Sequence, residues 1–77
     1  MITKKTLDKY GCDGIGDYFN CILDSRYNGQ IEYVGNLIND MSRKQQLKCI
    51  YYFTEINNDD TFSRDIVNRL YMRLKNK

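Results

Sequence analysis

A chain of 77 residues, 42 % hydrophobic and 29 % charged, has the composition of a folded domain, and its seven tyrosines and three phenylalanines argue against disorder. At this length the chain makes one domain with a modest core, so marginal isolated stability and self-association are expected. No apolar run approaches the roughly 20 residues that span a bilayer. The amino-terminal MITKKTLDKYGC carries lysines but no apolar signal-peptide stretch, so a cytoplasmic location is expected.

Helical spacing first appears between Asp13 and Asp24, where Ile15, Tyr18, Phe19, Ile22 and Leu23 share one face. Asp13 is placed to cap this helix, and Gly14 and Gly16 weaken its first turn. Asn28-Gly29 breaks the pattern. Ile31, Val34, Ile38 and Met41 then resume it, with Leu37 widening the stripe, and Gly35 offers a place where another helix could approach closely. Ser42 with Gln45 three residues on forms a capping box, so a third helix opens at SRKQQLKCIYYF. Its inward side is expected at Leu47, Ile50, Phe53 or Thr54, and Ile56, with Lys44 and Lys48 outward. Asn57 to Asp60 reads as a loop, with Asp60 or Ser63 as the next cap. Phe62, Ile66, Leu70 and Leu74 then recur every four residues, joined by Val67 and Tyr71.

These segments predict an all-α fold. The expectation is one helical domain over residues 1–77, a small bundle of three to four short helices at roughly 14–25, 29–41, 43–57 and 62–75, completed by homodimerisation. The expected dimer interface joins Ile15, Phe19 and Ile22 of the first helix to Phe62, Ile66, Leu70 and Leu74 of the last.

The catalytic vocabulary is thin. There is no histidine, and Cys12, Cys21 and Cys49 have no evident base. An odd number of cysteines without a C-x-x-C pair disfavours a disulfide framework, and zinc would need all three thiols plus a carboxylate at unusual spacings. Reduced, mostly buried thiols are the expectation, with no metal and no cofactor. Glu32 and Glu55 are the nominal acid pair for glycoside hydrolysis, but so small a domain has scant room for a sugar cleft. Gly-Cys-Asp-Gly-Ile-Gly has the wrong spacing and no following lysine for a phosphate loop, so it reads as a flexible lead-in to a helix. An enzyme is not expected.

Charge is distributed unevenly behind a formal net of +2. Residues 61–77 set Arg64, Arg69, Arg73, Lys75 and Lys77 against Asp65 alone, and the rest of the chain is slightly acidic. Cations also belong at a helix carboxyl end, where they meet the negative pole of the macrodipole. The candidate contacts for a partner or nucleic acid are therefore Lys44, Lys48, Arg64, Arg69 and Arg73.

Tyr18-Phe19 in LDKYGCDGIGDYF, Val34-Gly35 in IEYVGNLINDM and Ser42-Arg43-Lys44 in SRKQQLKCIYYF together make residues 7 to 74 resemble the small enterobacterial YmgB/AriR type of biofilm-development and two-component connector proteins. The connection between the second and third helices is shorter here, and the carboxyl end more basic. The resemblance implies a dimeric helical protein without catalysis that acts on a response-regulator phosphorelay controlling biofilm and acid-stress genes. Direct DNA binding as a transcriptional modulator, and occlusion of a host enzyme by a small phage- or plasmid-encoded inhibitor, are the alternatives.

Overall fold

The computed structural model describes residues 1–58 and 61–75, and among these it contains helices and no strand. Five α-helices follow in order: α1 (Lys4–Lys9), α2 (Ile15–Tyr27), α3 (Ile31–Asp40), α4 (Arg43–Tyr51) and α5 (Thr61–Lys75), with a π-helical turn (Tyr52–Ile56) running on from α4. The fold is all-α, as expected. Residues 59 and 60, which hold part of the expected loop and the candidate cap Asp60, lie outside the described residues, as does Lys77.

The first helix is an addition to the sequence reading. Thr3 caps α1 by accepting a hydrogen bond from the Thr6 amide. The helix stops at Gly11, whose φ of +72° places it in the left-handed region that favours glycine. The Cys12 amide then donates to the Leu7 carbonyl at 2.8 Å and the Gly11 amide to Asp8 at 3.1 Å, the two bonds of a Schellman stop. Gly11 therefore ends a helix rather than leading into one. The same motif closes α2, where Gly29 at φ +73° precedes a Gln30 amide that donates to Ser25 at 2.9 Å. Asp13 does not cap α2. Gly14 takes the N-cap position, and Asp17 reaches back to accept from the Asp13 amide at 2.9 Å.

At α4 the capping box forms as the sequence indicates. The Ser42 hydroxyl accepts from the Gln45 amide at 3.1 Å, and Gln45 Oε1 accepts from the Ser42 amide at 2.9 Å. Gln45 has a second task. Its Oε1 also accepts from the Ile2 amide at 2.9 Å, and its Nε2 donates to the Ile2 carbonyl at 2.7 Å, so one side chain ties the amino-terminal segment to the start of α4.

The inward side of α4 differs from the sequence expectation by one position. Gln46 is completely buried and Leu47 is 51 % exposed. The cap explains this: Gln46 is the fourth helical residue, the position that faces the residue before the N-cap. Its Nε2 donates to the carbonyls of Met41 at 3.1 Å and of Ile38 at 3.2 Å, the latter also accepting from the Met41 amide, so the side chain closes the end of α3. Further along, the Thr54 hydroxyl donates to the Ile50 carbonyl, and the Asn57 amide donates five residues back to Tyr52 at 2.8 Å. The wider turn keeps Phe53 inside but carries Ile56 out to 62 % exposure, against expectation.

Tyr18, Phe19 and Ile22 of α2, Val34, Leu37 and Ile38 of α3, Cys49, Ile50 and Phe53 of the α4 segment, and Ile66, Val67 and Leu70 of α5 form one core. Phe19, Ile22, Ile66 and Leu70 are between 0 and 3 % exposed within the single chain. Ile15, Phe62 and Leu74 pack against the same core. Of the residues expected at a dimer interface, Phe19, Ile22, Ile66 and Leu70 are thus buried within the chain and Ile15, Phe62 and Leu74 are partly covered, because α2 and α5 pack on each other. The radius of gyration, 11.4 Å, is that of a single packed chain of this length, for which about 11.5 Å is expected.

Candidate interaction surface

Lys44, Leu47, Lys48 and Tyr51 stand at i, i+3, i+4 and i+7 of α4, which aligns them on one face. All four are exposed, Tyr51 at 61 %. The face is outward because Gln46, Cys49 and Ile50 are fixed inward. It combines two apolar side chains with two ammonium groups that have no carboxylate partner among the described residues. Arg43, at the first position of the helix and also exposed, adds a third cation. Leu47 and Tyr51 are the contribution that sequence reasoning misses, since hydrophobicity places Leu47 in the core and the charge pattern singles out only the lysines.

The cations of α5 are divided. Asp65 accepts from Arg69 Nε and from Arg26 Nε, both at 2.7 Å, so Arg69 works in an ion-pair cluster that joins α5 to α2. Burial alone would raise the Asp65 carboxyl, but the hydrogen bonds and charges of Arg69 and Arg26 outweigh it and hold the group below its ordinary range. The Arg26 guanidinium also lies 4.7 Å from the Phe62 ring centre. Arg73 borders a groove of about 520 Å³ between α3 and α5, together with Gly35, Ile38, Arg69 and Met72. Arg73 Nε is buried there without a hydrogen-bond partner among the described residues. A Cβ on Gly35 would meet nothing within 4 Å, so among the described residues no helix makes the close approach expected there. Arg64 stands apart near Phe53, Thr54 and Asn58. The structure therefore brings Lys44 and Lys48 together on α4 and Arg69 and Arg73 together beside the groove, and separates Arg64 from both pairs.

The thiols fall into two environments. Cys49 is completely buried in the core, and burial pushes its thiol far above the ordinary value. Cys12 and Cys21 meet instead, with Sγ atoms 3.9 Å apart. Cys12 is buried and Cys21 half-buried. Burial first, then the hydrogen bond and charge of Cys21, and then Asp17 and Asp13, push the Cys12 thiol up to about 11. Among the described residues no group of three or more Cys, Asp or Glu side chains is arranged to hold a metal ion, and no helix is long and apolar enough to cross a membrane.

No protein-family model matches this chain, and no curated protein or solved structure matches it either. The functional reading therefore rests on the chain's own surface.

Proposed function

We propose that the protein is a small non-enzymatic regulator that acts by protein–protein interaction, docking the outer face of α4 onto a partner surface with an apolar centre and an acidic rim. The observation that carries this is the pairing of Leu47 and Tyr51, more than half exposed, with Lys44 and Lys48 on the same face. Burying what is still exposed of Leu47 and Tyr51, a little over half of each, contributes about 1 kcal/mol apiece. A helix placing anchors at i, i+3, i+4 and i+7 against a groove is a recurrent docking mode. The lysines would favour an acidic partner and speed its encounter. A response regulator is one candidate partner under this reading, as the resemblance implies.

The test compares three forms of the protein: the native chain, Leu47→Ser with Tyr51→Ser, and Lys44→Glu with Lys48→Glu. Partners are captured from bacterial lysate on the native protein, purified, and titrated against all three forms. Both variants should keep their helicity, since the four side chains lie outside the core and the reversal at Lys44, in the first turn of α4, offsets against the helix dipole the reversal at Lys48, in its last turn. Both should bind the partner at least tenfold more weakly. DNA affinity that falls only with the lysine reversal, with a salt dependence flattened by about one unit per lost contact, would replace this reading with phosphate binding. Equal binding by all three forms would overturn it.

A further inference from the structure

We propose that Cys12 and Cys21 form a dithiol site that a low-molecular-weight disulfide oxidises to an intramolecular disulfide, locking the turn after α1 onto α2. Two rigid elements hold the pair. Cys12 is the residue after Gly11 in the Schellman stop, with its amide fixed to the Leu7 carbonyl at 2.8 Å. Cys21 lies in the middle of α2. Their sulfurs are in contact at 3.9 Å, so forming the bond requires an approach of only ~2 Å, which side-chain rotation can supply at a turn. Cys49 is sealed in the core and takes no part.

The half-buried Cys21 is the entry point. Its thiolate attacks one sulfur of the small disulfide, forming a mixed disulfide and expelling the other half as a thiolate. Cys12 then gives up its proton, and its sulfur attacks Cys21 Sγ. The S–S bond to the small molecule breaks and its second half leaves as a thiolate. The protons of Cys12 and Cys21 end on the two released thiols. The small disulfide is reduced by two electrons, and the protein loses two hydrogens. The burial and acidic neighbours that keep Cys12 protonated make it the resolving thiol rather than the first attacker. The closed ring spans residues 12 to 21 and ties the end of α1 to the middle of α2. It fixes α1, whose Leu7 and Tyr10 lie against the core without being fully buried.

The experiment treats the purified full chain with glutathione disulfide and maps the products under non-reducing conditions. The native protein should lose two hydrogen masses, give a peptide joining Cys12 to Cys21, and leave Cys49 as a free thiol. Its melting temperature should rise by roughly 10 °C, reversibly with reductant. Cys12→Ser should retain a glutathione adduct on Cys21, because the resolving thiol is gone. Cys21→Ser should react at least tenfold more slowly than Cys12→Ser. A stable glutathione adduct on the native protein, a bridge that includes Cys49 or a second chain, or equal reaction of the two variants would each overturn the proposal. The native-protein mapping does not depend on either variant folding.

Discussion

Tyr18 is completely buried, and its hydroxyl donates to the Leu37 carbonyl at 2.6 Å, linking α2 to α3. Tyr18→Phe keeps the ring but leaves that carbonyl unpaired in the core. It should cost about 1–2 kcal/mol, read from denaturant midpoints at unchanged slope. Asp65 sets an acid limb of the stability curve. Its folded carboxyl titrates below the ordinary value of 3.8, so its contribution is complete above that value and is lost as pH falls through the lowered one. Asp65→Asn should cost about 0.5–1 kcal/mol at neutral pH, discounted for solvent screening, and the difference should vanish in strong acid. The buried thiols set the alkaline limb with the opposite sign. Cys12 is raised from 9.0 to about 11, so its contribution is full below pH 9 and is lost as pH rises towards 11. Cys49 and Tyr18, raised by burial in the same direction, extend the loss. Melting temperature should hold steady up to about pH 9 and then fall.

The cap of α4 allows a ranking. Ser42→Ala removes one capping bond and should cost about 1 kcal/mol. Gln45→Ala removes the reciprocal bond and both bonds to Ile2, so it should cost about 2 kcal/mol and loosen the amino-terminal segment. Thermal melts of the two variants check the order, and equal shifts would show that the Ile2 link is idle. What the sequence revealed follows the same elements. Apolar spacing located the helices now seen as α2, α3 and α5, and the Ser-x-x-Gln signature located the start of α4. Six residues with only Leu7 facing inward are too few to show a period, so α1 was invisible except through Gly11, which signals a helix stop as readily as a start. The Gln46–Leu47 exchange was hidden because hydrophobicity places leucine inside. The cap contained the missing signal, since once Ser42 is the N-cap the fourth helical position must face Met41. The π turn is accompanied by a side-chain bond from Thr54 to the Ile50 carbonyl, which apolar spacing does not encode. The candidate surface was legible for Lys44 and Lys48 and not for Leu47, for the same reason.

For the molecule as a whole, the decisive fact is that Phe19 and Ile22 of α2 and Ile66 and Leu70 of α5 are already buried within the single chain. The prediction from this burial is that folding does not require a second copy. Over an approximately hundredfold range of protein concentration the melting temperature should stay constant, whereas a fold completed by dimerisation would melt higher at higher concentration. Any self-association would have to use surface outside the core, with α4 as the leading candidate. There a symmetric pairing would set lysine against lysine and so favour an unlike partner.

The tie between Ile2 and Gln45 also orders events during synthesis. The two residues are 43 apart in sequence, and at a ribosomal rate of about 5–20 residues per second the clamp is made several seconds after Ile2 is added. Local helix formation takes about a microsecond or less, so α1 can form and melt many times before anything holds it. Through that interval Ile2, Leu7 and Tyr10 present apolar surface to whatever meets the nascent chain. α1 is thus secured only once the start of α4 has been translated, before α5 has been made.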